Sequence, residues 1–414
     1  MPVIARAYRA PSKDGTPFSA GCIQATRLSI GQTYRAKQDE PASRRTKLID
    51  VYLGSKNKVE THTISIPVAP ACTFSETKGS KASVPVKVTA NFGNVLPGHI
   101  HRSEVQSVNS VVIPSGASTE AQDTQGRNVA VASVDAFGIL RSSVNNIEIP
   151  LDDDKRLMRH QAYGETSWSG VELNATPSTL NAVTAHFSSR TIKAYDLNAG
   201  KFTHAFLSAL SPLAVRYVNV STVLCAESNF ASLYDLRCNK CQGRVSPSKG
   251  FLYGLAFPSS NIASGTLSPN KKEHADISNI FLAAGEDRIV YAVDIRNWKI
   301  RHRWRAPLKY EAIQLLSSPT MPTACYAVGL DNDILCGHWK STSNGRSNDI
   351  DKSYRNILFQ NHHCGFRGDS RWIGISMLSD TQSYDIECRD VIVAASESGS
   401  LYVVENADNM QITH

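Results

Sequence analysis

Two arginines keep the same company in different parts of the chain. Tyr234-Asp235-Leu236-Arg237 and Val293-Asp294-Ile295-Arg296 each place a guanidinium two residues after a carboxylate. The planar fork of an arginine there can take hold of an acidic surface through two charge-assisted hydrogen bonds, or it can cap the strand end it follows. Arg237 and Arg296 are therefore the candidate partner-binding residues. The remaining reactive side chains offer less. Cys238 and Cys241 form the one close thiol pair, but a structural zinc needs two further ligands, and the only dense candidates are the distant His362, His363 and Cys364. Asp152-Asp153-Asp154 lacks the alternating spacing and distal glutamate of a calcium loop and reads as a solvated link. His99 and His101 are potential ligands only in principle.

Motifs that would carry catalysis are missing from the chain: no Gly-x-Ser-x-Gly elbow, no Gly-x-Gly-x-x-Gly, no phosphate loop ending in Gly-Lys-Ser/Thr, and no His-Glu-x-x-His. Aspartates recur at the ends of hairpins, which suits a repeated structural hydrogen bond better than a single active site. The expectation is a non-enzyme with no catalytic residue, no cofactor and no metal.

Composition sets the class. The 414 residues include 44 Lys+Arg against 37 Asp+Glu and are 41% hydrophobic and 20% charged, which excludes a disordered chain. No apolar run reaches the roughly 18 residues of a membrane span, and the start, MPVIARAYRAPSKDG, has no apolar segment followed by a cleavage site. Nine cysteines, an odd number, argue against a disulfide framework. These features lead us to expect an intracellular protein of the nucleus, the cytoplasm or both. Residues 1–50 hold nine basic and four acidic side chains. No aromatics alternate with them as stacking on bases would require, so a nucleic acid is not expected as a direct ligand.

The residues around these candidates are organised as strands. Short β-branched and aromatic runs recur between clusters of Gly, Asn, Asp, Ser and Pro, while helical periodicity is hard to find. Ile280 to Arg296 reads as strand, tight polar turn, strand. The same grammar returns in Ala182–Leu197, Thr222–Arg237, Ala324–Trp339, Val391–Val404 and Val129–Ser143, and a seventh hairpin spans Lys47 to Ile66.

These units resemble degenerate WD40 repeats, whose second hairpin strand ends in an aromatic-Asp pair, here Tyr195-Asp196, Tyr234-Asp235 and, with valine for the aromatic, Val293-Asp294. Gly98-His99 is similar to the family's Gly-His dipeptide. The resemblance implies that Ser133 and Asp135 hydrogen-bond His99, with Ser143 standing where the family has tryptophan. It also implies an all-β, seven-bladed WD40-type β-propeller in one domain, closed by an N-terminal strand at residues 3–8 pairing with the last blade. Blades are expected at about 18–66, 85–150, 164–206, 207–246, 247–305, 306–362 and 366–410. Four polar stretches, 35–46, 115–127, 261–279 and 341–354, are expected as loops on the ring. Trp168, Trp298, Trp304, Trp339 and Trp372 are expected mainly as packing residues.

By the same resemblance, the expected function is a non-enzymatic scaffold that binds other proteins in an intracellular multi-subunit complex, without a membrane span or a small-molecule ligand. The Asp-x-Arg pairs are also similar to those of WD40 substrate receptors of cullin-RING ubiquitin ligases. Divergent repeats and terminal closure are similar to the small WD-repeat subunit of the nuclear pore's outer ring. A propeller hydrolase is the remaining alternative and has no support beyond the fold.

Overall fold

The computed structural model describes residues 5–9, 23–35, 46–67, 89–114, 128–151, 166–238, 240–258, 277–340, 364–378 and 390–405. The runs with turn signals between them form strands, and these assemble into seven four-stranded antiparallel sheets. After β1 (Ala5–Arg9) comes blade one: β2 (Leu28–Arg35), β3 (Thr46–Ser55), β4 (Lys58–Pro67) and β5 (Thr89–Ile100). Blade two holds β6 (Val105–Val112), β7 (Val129–Asp135), β8 (Leu140–Val144) and β9 (Ile147–Glu148). Blade three has β10 (Ser169–Ala175), β11 (Leu180–His186), β12 (Thr191–Asp196) and β13 (Lys201–Leu207). Blade four has β14 (Pro212–Asn219), β15 (Thr222–Glu227), β16 (Phe230–Asp235) and β17 (Lys240–Val245). Blade five has β18 (Leu252–Ala256), β19 (Ile280–Gly285), β20 (Ile289–Asp294) and β21 (Lys299–Arg305), and blade six has β22 (Ala312–Ser317), β23 (Ala324–Gly329), β24 (Asp333–His338) and β25 (Cys364–Arg367). Blade seven combines β26 (Trp372–Leu378), β27 (Val391–Ser396) and β28 (Ser400–Glu405) with β1, which pairs with β28 from Ala5 opposite Val404 to Arg9 opposite Ser400.

The ring follows from the period-two alternation of the second strands. On β19, Phe281 and Ala283 pack toward blade four, while Ile280, Leu282 and Ala284 pack toward blade six. On β27, Ile392 and Ala394 face blade six and Val391, Val393 and Ala395 face blade one. A strand that is apolar on both faces cannot be covered within its own sheet, so each blade is sealed by its two neighbours. Seven apolar clusters result, one at each seam between consecutive blades, including the seam between seven and one. The chain is a seven-bladed β-propeller.

The first strand of each blade lies nearest the axis and the fourth lies outside. Turns between first and second and between third and fourth strands gather on one rim, here called lower. The second-to-third turns and the blade-to-blade connections gather on the upper rim. Tryptophans lock some seams: the indole of Trp304, on β21, fills the space above Gly337 of blade six, where a Cβ would stand 2.1 Å from the ring.

All seven hairpins expected from the sequence are present, but two blade boundaries need correction. Blade one does not end at 66: Thr89–Ile100, expected within blade two, pairs with β4 as the fourth strand, with Ile64 opposite Ala90 and Glu60 opposite Val95. Blade six likewise runs past 362 to β25, which pairs with β24, and blade seven starts at Trp372 rather than 366. Outer strands pack on one side only and need fewer apolar residues, so their pattern is faint. The closing strand lies at Ala5–Arg9; residues 3 and 4 of the expected span lie outside the described residues. The four expected loops fall almost wholly outside them as well, as do Asp152–Asp154, His362 and His363.

Candidate functional site

The lower rim of blades four and five carries the two Asp-x-Arg pairs. Strand β16 ends at Asp235, whose Oδ1 accepts the backbone N–H of Arg237 at 2.9 Å. That bond turns the chain so that Arg237 donates from Nε to Oδ1 at 3.0 Å and from Nη2 to Oδ2 at 2.7 Å. At the end of β20 the geometry repeats. Asp294 accepts the Arg296 amide at 3.0 Å, Nε at 3.0 Å and Nη2 at 2.9 Å. A bulge between Ala292 and Val293, where β20 meets β21, brings in Arg301, which gives a further Nη2 bond to Asp294 Oδ2 at 2.9 Å.

Both forks close on their own blade, the capping arrangement that the spacing allows. Their outer surfaces remain open: the side chain of Arg237 is 73% exposed and that of Arg296 50%, over aspartates at 7% and 1%. Hydrogen bonds from Arg237 hold the Asp235 carboxyl down at about 2, and Arg296, then Arg301, hold Asp294 further below the usual carboxylate range. Both carboxylates stay ionised at neutral pH, so the rim at blade five presents two cations on one anion. A third fork went unseen in the sequence. Arg367 on β25 donates from Nε and Nη2 to Asp333 on β24 at 2.7 and 3.1 Å, on the upper rim. Its partners are far apart in the chain, so no short spacing could signal it.

The histidines resolve differently from the expectation. His99 is fully buried, and its Nδ1 lies 2.6 Å from the Ser133 hydroxyl as expected, but its Nε2 lies 3.0 Å from the hydroxyl of Ser143. Asp135 instead accepts the backbone N–H groups of Phe137 and Ile139, with His101 Nδ1 3.7 Å from its second oxygen. Without a tryptophan, Ser143 comes close enough to take the imidazole, and Asp135 is left to the turn. Burial works to raise Asp135, but His101 beside it and those two amides hold it below its ordinary value. Burial, helped by His101 and Arg141, drops His99 to about 3, so the ring is neutral. Gly98 takes φ +77°, and a Cβ there would meet the Glu148 side chain at 2.7 Å, which accounts for the glycine of the Gly-His pair.

No group of three or more His, Cys, Asp or Glu side chains converges as a metal site among the described residues. Cys238 and Cys241 are exposed free thiols at the lower end of blade four, whereas Cys364 begins β25, with blade five between them. Four tryptophans, Trp168, Trp304, Trp339 and Trp372, are buried packing residues, and Trp298 lies partly buried against Phe281. An open hollow beside blade two is lined by Arg102, Leu140, Arg141, Glu148 and Pro150, and there Arg141 and Glu148 pair at 3.2 Å. Near the axis, ion pairs bridge neighbouring blades: Arg27 to Glu104 and Arg216 to Glu172, each at 2.6 Å. No helix among the described residues is long and apolar enough to cross a membrane.

Comparison with known proteins bears on the fold. No protein-family model and no curated protein sequence matches the chain. Among solved structures it is similar to a chain in the crystal structure of the mitotic checkpoint complex, with 10% identity and a TM-score of 0.54 over 97% of this chain and 90% of that one. At that identity the likeness is one of fold. It is also widely shared, since 1183 solved chains match, and a fold so common does not select a function.

Proposed function

We propose that the protein is a WD40-type propeller that works without catalysis, as a docking platform for other proteins within an intracellular multi-subunit assembly of the nucleus or cytoplasm. One observation carries this reading: the two Asp–Arg forks on the lower rim of blades four and five, with guanidinium groups held by buried aspartates and left open on their outer side. A cation fixed by a bidentate bond has already lost its rotamer freedom, so a partner's carboxylate meets it at a lower ordering cost. The seven sealed seams give the rim a rigid base, and rigid presentation favours association in the same way. The similar chain of known structure belongs to a complex, which agrees with such a role. Neither a cofactor nor a metal enters the proposed mechanism.

Purification of the tagged protein followed by mass spectrometry tests the proposal. A stoichiometric set of subunits is expected, and recovery of the protein alone would count against it. The Asp-x-Arg geometry also favours a more specific second reading, a substrate receptor docked on the adaptor of a cullin-RING ubiquitin ligase. In that case the double variant Arg237→Ala/Arg296→Ala loses the adaptor while other partners remain. Uniform loss of all partners with a lowered unfolding midpoint would instead assign the arginines a structural task.

A further inference from the structure

The outer strand of blade five carries more charge than its place in the fold demands. From Asn297 through Tyr310 there are five cations, Lys299, Arg301, Arg303, Arg305 and Lys309, and no carboxylate. On β21 exposure alternates, so that Lys299, Arg301, Arg303 and Arg305 face solvent while Trp304 is buried. Arg301 is held by Asp294, and Arg303 lies over the Tyr291 ring with 5.8 Å between its guanidinium carbon and the ring centroid. Lys299, Arg303 and Arg305 have no carboxylate partner among the described residues. Strand β21 is the last of its sheet, and among the described residues no further strand pairs with its outer side. Alternate backbone N–H and C=O groups therefore face outward.

Lysines and arginines on an edge strand also discourage edge-to-edge aggregation, but this ring does not need four for that purpose. Strand β13, the equivalent edge of blade three, has Lys201 as its only lysine or arginine and exposes Leu207 at 67%. Like charges this close repel one another and weaken the blade unless something neutralises them.

We propose that the outer edge of blade five binds an extended acidic peptide segment of a partner protein, which pairs alongside β21 and sets its carboxylates against Arg303 and Arg305. Beyond the bulge the strand is in regular register, with Tyr291 opposite Arg303 and Ile289 opposite Arg305. The two arginines thus repeat at about 6.8 Å, the same step as alternate side chains of an added strand. A nucleic acid fits less well, because no exposed ring alternates with Arg303 and Arg305 for a base to stack on. Trp304 is buried, Tyr291 lies under Arg303, and the Lys309 ammonium sits 5.0 Å from the centroid of the Tyr310 ring. The inference rests on the docking reading above but concerns a different surface and a specific chemistry.

The test uses the full-length protein and a fluorescein-labelled ten-residue peptide of alternating Glu and Thr, followed by anisotropy at low and physiological salt. Saturable binding that weakens with salt is expected. Arg303→Glu/Arg305→Glu should weaken it about ten-fold or more, and Lys201→Glu on β13 should leave it unchanged. Arg303→Gln/Arg305→Gln serves if charge reversal unfolds the blade, and it too must weaken binding. Equal binding by wild type and the arginine variants, no binding by wild type, or tighter binding of a ten-nucleotide single-stranded RNA would each overturn the proposal. If the peptide fails while partners still co-purify, the blade-five edge is wrong and the platform reading stands; peptide binding by a protein that purifies alone has the reverse meaning.

Discussion

The junction of blades one and two and the rim of blade five use polar residues in opposite ways. Where β5 of blade one meets blade two, His99, His101, Ser133, Asp135 and Ser143 turn inward at 5% exposure or less, with Ser133 shared by the two imidazoles and Ser143 against His99, and no charge reaches solvent. In blade five, Asp294 is buried but its partners Arg296 and Arg301 stand about half in solvent. An enclosed network contributes to the fold, because each member left unpaired would pay a desolvation penalty. A half-exposed ion pair adds little to stability, since water screens it. What it can contribute is a fixed charge for something outside. The comparison separates an enclosed network that supports the fold from the exposed charges on which the proposed docking would rely.

The comparison is easiest to break at His99. Replacing it with alanine leaves a cavity and the Ser143 hydroxyl without its partner, so an expected loss of about 2–4 kcal/mol should appear as a lower urea midpoint with an unchanged slope. A change within error would remove the structural role of this network. The next effect is one of acid. His99 is held near 3 by burial, while the unfolded chain takes up its proton near 6.5. Because the unfolded state binds more protons between those values, stability falls as pH drops below 6.5, by about 1.4 kcal/mol per unit for that ring. His62 and His186, also lowered by burial, act in the same direction. The depressed Asp235 runs at a different pH: its contribution is complete above about 3.8 and is lost only as pH falls through about 2. Urea titrations at several pH values should show the histidine slope first, and it should be shallower in His99→Ala.

A smaller shift is expected from Arg301→Ala, which leaves Asp294 still gripped by Arg296. The smallest is expected from Arg237→Ala, whose unfolding midpoint should stay within error of wild type even though partner recovery falls. A large drop in midpoint for Arg237→Ala would erase the distinction between the enclosed network and the exposed forks.

How much of this could be read beforehand depended on which strands were at issue. The second strands were legible because they are covered on both sides and are apolar over most of their length, as in Ile280–Gly285 and Val391–Ser396. Strand β5 was assigned to the wrong blade because its outer position tolerates Asn91, Gly93, Asn94 and Pro97, which resemble a loop. The Asp-x-Arg forks were visible because both partners lie within three residues. The Asp333–Arg367 fork spans two strands and left no local trace. The swap of His99's partner from Asp135 to Ser143 depended on side-chain reach, which spacing alone does not encode.

Pairing of Ala5–Arg9 with Ser400–Glu405 brings distant stretches of the polypeptide into a single sheet. A short linker joining Glu405 to Ala5 would turn that pairing into an ordinary hairpin like those of the other blades. New ends could then be opened between Arg9 and Ile23, giving a circular permutant that keeps every seam and frees a different place for fusion.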